Sequence, residues 1–533
     1  MFSEKLAALR TSKKMTQEQL AEKLDVTRQS VQKWESGASF PSIDKLVAIA
    51  DLYSVSLDGL CREETGEDYG RTGKYYIPDY ENAHDWEFYF RVLFIEYMQC
   101  ADEGKDVEKY KSLFDAIVDM PSDEYKKKIA DVIFELVGSL PQRSDYPYIE
   151  PNDLESIKRL SDGAKTLPVN PALVADKIAG GWFGRVCGCF LGKPVECIRK
   201  AELDTVLKRT NNFPLSRYID ADDFTDETFE GIKFQLKHRL YPRSFGRMPV
   251  DDDTNYTIMG YEILRRYGRD FTSANVGEAW LKLQTMDAYC TAERIAYKNL
   301  IDGYRPPASG EYKNVFREWI GAEIRADFYG YINPGDPATA ANMAYRDARI
   351  SHVKNGVYGA MWSAAAIASA FSLSSPREIV ENALGVVPKS SRLYEDVKDV
   401  IAAFDDGMGA NECIDMIHSR YDETKSHGWT HVIPNVMIVT AALLYGGCDY
   451  GKTVCLAVGA GFDTDCNGAT SGSIAGVMLG KRALPGEWTG RIADTLESTL
   501  EGYSSVSVAE MAKKTLEFLP DDINPMILKR KYS

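Results

Sequence analysis

The stretch Gly461-Phe462-Asp463-Thr464-Asp465-Cys466-Asn467-Gly468 opens a helical pattern in which glycine recurs at every fourth position. Each glycine inside a helix costs about 1 kcal/mol relative to alanine, so a repeated stripe needs a structural reason. Close approach of a neighbouring helix supplies one, and the pattern predicts a tightly packed helix pair. The stripe consists of Gly468, Gly472, Gly476 and Gly480.

Two carboxylates stand one residue apart at the start of this helix, at Asp463 and Asp465. Carboxylate oxygens favour Mg²⁺, Ca²⁺ or Mn²⁺ over Zn²⁺. The chain has 6 histidines and contains no HExxH motif or Cys/His ligand set that would compete. The turn therefore predicts a site for a hard metal ion.

A second glycine stripe lies upstream, at Gly180, Gly184 and Gly188, and predicts another close-packed helix. Pro194 ends this helix and leaves Glu196 in the loop that follows. Taken alone, Glu196 is typical of an ordinary surface carboxylate.

Three consecutive carboxylates, Asp251 to Asp253, precede a further helical pattern. Acidic residues in a first helical turn complement the helix dipole, so capping is one interpretation. Three adjacent carboxylates repel one another unless water or a cation neutralises them, which favours metal binding. Adjacent helical positions point about 100° apart, so Asp252 and Asp253 could serve two different ions.

The length and net charge of the chain limit the class of protein to which it can belong. The chain has 533 residues and a net charge of −16, which predicts two or three domains and argues against wrapping nucleic acid over the whole surface. No long uncharged apolar run or signal-peptide core is present, and the 10 cysteines are scattered. We expect a cytoplasmic protein without a membrane partner. The predicted domains are residues 1–65, 66–165 and 170–525.

The first 65 residues contain three short helical patterns, of which the third runs from Arg28 to Glu35. Val31 and Trp34 face inward, and the outward side chains are types that bond base edges and phosphates. The segment resembles helix-turn-helix domains of the Xre/lambda-repressor type, which implies operator DNA as a partner and a homodimer. A small bundle with a solvated polar face, or a protein-binding module, is the alternative. The predicted DNA-binding residues are Thr27, Arg28, Gln29, Gln32 and Lys33.

Residues 66–165 begin with a polar, glycine-bearing linker and continue with apolar stripes at helical spacing over 86–100 and 122–140. Such stripes are usually packing surfaces. We interpret this segment as a helical spacer that also serves dimerisation.

Residues 170–525 show helical periodicity throughout, which predicts an all-α fold. This segment resembles the ADP-ribosylglycohydrolases, which include ADP-ribosylarginine hydrolases and the enzyme that reactivates dinitrogenase reductase. The resemblance implies an all-α orthogonal bundle with a pair of Mg²⁺ ions, Mn²⁺ being the alternative ion. It rests on Pro-x-Glu ending at Glu196, Asp-Asp-Thr at 252–254, Arg346-Asp-Ala-x-x-Ser-His352 and Gly-x-Asp-Thr-Asp at 461–465.

By this resemblance, Glu196 matches the family's acid/base residue, with Asp252 and Asp465 as alternative catalytic groups. Asp251 and Cys466 stand where the family usually has Thr or Ser, which shifts the balance of ligands between the two metals. The predicted ligand set is Asp251, Asp252, Asp253, Asp463, Asp465 and Cys466.

The implied reaction is hydrolysis of a glycosidic bond at ribose C1″ of an ADP-ribosyl or nucleoside-like ligand. A satisfied structural role is an equal alternative for His431, and a structural role is favoured for His352. The second functional hypothesis is a transcription factor whose glycohydrolase-like domain is a non-catalytic sensor. The predicted substrate-binding residues are His431, Asn435, Arg325 and Asp327.

Overall fold

A computed structural model describes residues 2–53, 55, 84–223, 225–233 and 246–527. The chain divides into two compact units, Met1–Asn82 and Ala83–Ser533. No helix in the described part is long and apolar enough to cross a membrane.

The first unit is a small helical bundle. Thr16 caps its second helix, and Gln19 returns the bond in the capping box that the sequence predicts. Val31 and Trp34 are buried in its core, as their spacing predicts. Its helices are α1 (Phe2–Ser12), α2 (Gln17–Lys23), α3 (Arg28–Glu35) and α4 (Ile43–Tyr53).

The second unit is built of helices, with one small antiparallel pair of strands, β1 (Thr495–Glu497) and β2 (Ser505–Ser507), in its described part. The predicted all-α class is confirmed. The helices are α5 (Leu93–Asp102), α6 (Lys111–Val118), α7 (Glu124–Gly138), α8 (Leu154–Leu160), α9 (Pro171–Gly192), α10 (Lys200–Arg209), α11 (Asp252–Tyr267), α12 (Ser273–Leu283), α13 (Thr291–Ile301), α14 (Ala308–Glu311), α15 (Asp327–Tyr331), α16 (Pro337–Ala348), α17 (Lys354–Ala370), α18 (Pro376–Leu384), α19 (Arg392–Asp405), α20 (Ala410–Arg420), α21 (Ser426–Thr430), α22 (Val432–Gly446), α23 (Tyr450–Gly459), α24 (Thr464–Leu479), α25 (Gly486–Thr489) and α26 (Val508–Thr515).

Helices α9 and α24 pack against each other through the two glycine stripes. A Cβ added to Gly188 would lie 2.0 Å from the carbonyl oxygen of Gly468, and one added to Gly180 would lie 2.1 Å from that of Gly476. Residue numbers rise along α9 as those of their partners fall along α24, so the two helices are antiparallel. The stripes thus face each other, which explains the helical glycines in both.

From residue 84 onward, the segment predicted as a spacer belongs to the second compact unit. Arg317 forms buried ion pairs with Glu96 and Glu103, and Arg392 pairs with Glu150. These pairs, together with the apolar cluster that Ile95 forms with Phe316 and Trp319, join the segment to the large helical unit. Residues 66–83, including the predicted linker, lie outside the described residues.

Candidate metal and active site

The antiparallel helix pair brings two distant parts of the chain together. At the end of α9, a Cβ on Gly192 would lie 2.2 Å from the carbonyl oxygen of Thr464, and the Thr464 hydroxyl donates to the Gly192 carbonyl at 3.1 Å. The chain then makes a 3-10 turn over Lys193–Val195. Because α24 begins beside this turn, Glu196 and Asp465 are placed in the same region.

The turn before α24 is held by buried side chains from other helices. The Asn435 Oδ1 accepts bonds from the Asp463 backbone N–H at 3.1 Å and from the Asn467 amide at 2.8 Å. The Asn435 Nδ2 donates to the carbonyls of Trp429 and His431 at 2.9 Å each. These four bonds hold the turn before α24, and the contact of Asn435 with substrate stays a prediction.

The first group of possible ligands, the Asp463 cluster, consists of Asp463, Asp465 and Cys466, whose donor atoms lie within 4.8 Å of one another. Asp465 Oδ1 is buried and has no hydrogen-bond partner. Burial, with a further contribution from Glu196, raises the pKa of Asp463 to about 7 and that of Asp465 well above its ordinary value. Burial also raises the pKa of the Cys466 thiol, so this group is a neutral and weak ligand.

The second group, the Asp251 cluster, consists of Cys189, Asp251 and Asp253. Asp251 Oδ1 accepts the backbone N–H of Asp253 at 2.9 Å, and Oδ2 accepts the ammonium of Lys193 at 2.5 Å. Burial opposes ionisation of Asp251, but the Lys193 charge outweighs it and lowers the pKa of this carboxyl. Both oxygens of Asp251 therefore have protein partners, and its role as a metal ligand stays a prediction.

Asp253 is fully buried, and Arg185 binds its Oδ1 at 3.0 Å. The same guanidinium donates to Asp327 Oδ2 at 2.9 Å. Asp253 Oδ2 has no hydrogen-bond partner. Burial raises the pKa of this carboxyl well above its ordinary value. Asp253 thus keeps one oxygen available to a cation. Asp327, which is predicted to bind substrate, accepts a bond from Arg185.

Asp252 and Glu196 are half-buried. Burial raises the pKa of Asp252, and the charges of Asp251 and Glu196 raise it further. Glu196 also raises the pKa of Asp463 and Asp465. Carboxylates from three separate parts of the sequence therefore lie close enough to repel one another strongly.

Arg325 and His431 both have contacts within the protein, although His431 Nε2 is buried without a hydrogen-bond partner. Arg325 is 2% exposed and bonds to Glu293, Asp347 and Ser351, so no face of it is open to a ligand. His431 caps α22, its Nδ1 accepting the Ile433 N–H at 3.2 Å. These contacts give both residues a part in the fold, and their roles in substrate binding stay predictions.

A third group, Asp102, His427 and His431, also has ligand atoms within 4.8 Å. The indole N–H of Trp319 donates to His427 Nδ1 at 3.2 Å, so His427 Nε2 carries the proton and donates to Asp102 at 2.9 Å. His431 is fixed in the same tautomer by the backbone N–H that its Nδ1 accepts. Because both Nε2 atoms carry a proton, neither offers a lone pair to a cation, so this group does not suit one.

A hard divalent cation fits the acidic site better. Asp253 and Asp465 each present a buried carboxylate oxygen without a partner, and such oxygens are costly unless a cation or proton satisfies them. The donors are carboxylates, which suit Mg²⁺ or Mn²⁺.

Several residues near this site were not assigned from the sequence, among them Lys193, Arg199 and Trp429. Lys193 lies in the turn before Glu196, and Arg199 follows it by three positions. The Arg199 guanidinium lies 4.9 Å from the ring centroid of Trp429, and its Nη1 is buried without a partner. Lys193 and Arg199 each lie three residues from Glu196 in the sequence, and this short distance indicates that both are near the site. No comparable signal marks Trp429, because only the fold brings it to Arg199.

In the N-terminal unit, the polar face of α3 is outward. Thr27 caps the helix by accepting the Ser30 N–H at 3.2 Å. All of the predicted DNA-binding side chains are exposed, so the face is available to a partner. They are Thr27, Arg28, Gln29, Gln32 and Lys33.

Comparison with known proteins matches residues 170–517 to the family described as ADP-ribosylglycohydrolase and residues 6–60 to a helix-turn-helix family. A solved structure described as an ADP-ribosylglycohydrolase-related protein complex has a TM-score of 0.41 and 19% identity, covering 65% of this chain and 98% of that chain.

Curated relatives match the N-terminal unit. The HTH-type transcriptional activator BcrR of Enterococcus faecalis is 49% identical over 63 residues, which are 12% of this chain and 31% of that protein. The uncharacterized HTH-type transcriptional regulator YqaE of Bacillus subtilis (strain 168) is 40% identical over 67 residues, 13% of this chain and 58% of that protein. The chain thus spans between about a third and three fifths of these relatives.

Proposed function

Since this chain belongs to the ADP-ribosylglycohydrolase family, we propose that its large unit hydrolyses a ribosyl glycosidic bond with the help of Mg²⁺. We further propose that residues 6–60 bind operator DNA, so that the chain joins a transcription regulator to a hydrolase. The substrate would be an ADP-ribosyl or nucleoside-like compound.

The observation that carries the proposal is the convergence of Glu196 with carboxylates that keep unpartnered buried oxygens. Asp253 and Asp465 each have one such oxygen, and Glu196 interacts electrostatically with Asp465 and Asp252. The residues that would hold the metal are Asp252, Asp253, Asp463 and Asp465. When bound, a divalent cation would polarise a water or a ribose hydroxyl.

The chain's own residues would manage the proton. Glu196 lies in a loop and is half-buried, so it can meet both a ligand and water. As a base it would take a proton from water while the water oxygen bonds to ribose C1″ and the glycosidic bond breaks. The proton then passes to the leaving group. The surrounding carboxylates would stabilise positive charge that develops on the ribose.

A non-catalytic sensor is the second candidate, and one observation favours it. The Cys466 thiol, where the family usually has a hydroxyl, is buried with a raised pKa, and it is a poor ligand for Mg²⁺. A sensor would bind a ribosyl ligand and change operator affinity without turnover.

The test incubates the full chain with Mg²⁺ and a panel of ADP-ribosyl-arginine peptide, ADP-ribosyl-serine peptide, ADP-ribose derivatives and nucleosides. Chromatography measures the released products. We expect turnover that Glu196→Gln lowers at least about 100-fold, since acid/base catalysis contributes that much. The matched control is Glu155→Gln, an exposed carboxylate on α8 that should leave turnover unchanged. Ligand binding without turnover on any substrate would support the sensor.

A further inference from the structure

Lys193 places a fixed positive charge inside the acidic site. Its side chain is 20% exposed, and its ammonium binds Asp251, whose side chain is 1% exposed. The charge of Lys193 also interacts favourably with Glu196 and Asp465. The negative charge of Asp251 is therefore balanced by the ammonium of Lys193, which lies in the turn before Glu196.

Arg185 places a second fixed charge in the same half of the site. It is fully buried and binds one oxygen of Asp253. The Asp251 cluster thus holds two cationic side chains. The ion pairs of Lys193 and Arg185 described above are made to Asp251 and Asp253, so both place positive charge directly in this half of the site.

We propose that Lys193 takes the place of one of the two divalent cations, so that the site binds a single divalent cation tightly, at Asp463 and Asp465. The proposal rests on the proposed function only in requiring a metal site. A second divalent cation beside Asp251 and Asp253 must approach the Lys193 ammonium, and like charges a few ångströms apart repel strongly in a buried setting.

The pair also explains why Asp251 stands at a position where the family usually has a hydroxyl residue. An aspartate there binds the Lys193 ammonium with one oxygen and still caps α11 with the other. A threonine could cap the helix but would remove the carboxylate that binds the ammonium directly, leaving the charges of Glu196 and Asp465. Lys193 and Asp251 thus form one ion pair, in which Lys193 supplies the positive charge that opposes a second cation.

The experiment titrates the full chain with Mn²⁺ alone and follows free and bound ion by electron paramagnetic resonance, with calorimetry for stoichiometry. We expect wild type to bind one ion tightly and a second at least about tenfold more weakly, a difference of about 1.4 kcal/mol. Lys193→Met, and separately the double variant Lys193→Met with Asp251→Thr, should bind the second ion about tenfold more tightly than wild type.

Lys200→Met is the matched control, because Lys200 pairs with Asp204 on α10 outside both clusters, and it should leave the stoichiometry unchanged. The double variant removes both members of the buried pair, so it keeps the test valid if the single variant does not fold. Two wild-type ions of similar affinity, or no gain in either variant, would overturn the inference and leave the proposed hydrolysis standing. Absence of Mn²⁺ binding would overturn both.

Discussion

Gly184 and Gly472 face each other at the crossing of α9 and α24, where a Cβ on Gly184 would lie 2.1 Å from the Gly472 carbonyl oxygen. Gly184→Ala should therefore force the helices apart and lower the free energy of unfolding by about 3 kcal/mol. It should also weaken Mn²⁺ binding, because the same helix pair aligns Glu196 with Asp465. Urea unfolding and Mn²⁺ titration measure the two effects.

Gly138→Ala is the control for that substitution. Gly138 ends α7, and an added Cβ there meets no atom within 4 Å. It should leave Mn²⁺ affinity unchanged and raise stability by up to about 1 kcal/mol, since alanine is the better helix former. Equal effects of the two substitutions would show that the glycine stripe does not hold the site together.

Asn435→Ala tests whether this amide shapes the metal turn or touches substrate. It removes the acceptor for the Asp463 N–H and the Asn467 amide, so Mn²⁺ affinity should fall about tenfold, as for other residues that orient ligands. Asn382→Ala is the control, because Asn382 also bridges two segments, Lys165 and Ser369, but away from the acidic residues. A raised KM with unchanged Mn²⁺ affinity would instead support the sequence-based prediction of a substrate contact.

The helix pair could be predicted from sequence, because backbone contact requires glycine and glycine leaves a readable four-residue period. The carboxylates were predictable for a similar reason: few other patterns place acidic residues side by side at a helix start. Roles set by long-range partners could not be read in this way. Arg185 meets Asp327 across 142 positions, and Lys193 meets Asp251 across 58. The periodicity of the sequence does not indicate which distant residues pair in this way.

Glu293 predicts a pH dependence of stability. Burial outweighs the nearby Arg325 charge and raises the pKa of Glu293 from 4.5 to about 7. Between those values the native state holds a proton that the unfolded state has released, so the free energy of unfolding should fall as pH rises and become flat above about pH 7. Glu293→Gln, which stays neutral, should make this part of the profile flatter. Urea unfolding at a series of pH values measures it, and a Glu155→Gln profile parallel to wild type is the expected control.

Arg199 predicts a preference for phosphate-bearing substrates. Arg199 follows Glu196 by three residues, and its guanidinium lies over the ring of Trp429. Its Nη1 is buried without a partner. Such a group can bind a phosphate oxygen. Arg199→Met should raise KM for an ADP-ribosyl peptide about tenfold and leave KM for an uncharged nucleoside unchanged. Arg159→Met, on the surface of α8, is the control, and equal changes for both substrates would contradict the assignment.

The exposed face of α3 makes a prediction about DNA. Gln32 has both donor and acceptor groups suited to a base edge, whereas Lys33 offers only a charge suited to phosphate. With a DNA fragment selected by the wild-type chain from a random pool, Lys33→Ala should weaken binding to all sequences and reduce its salt dependence. Gln32→Ala should relax the base preference at one position, with a cost of about 1–3 kcal/mol for the selected sequence. Fluorescence anisotropy at several salt concentrations measures both. Unchanged binding in both variants would indicate that α3 faces another kind of partner, because these side chains are exposed and have no other evident use in the fold.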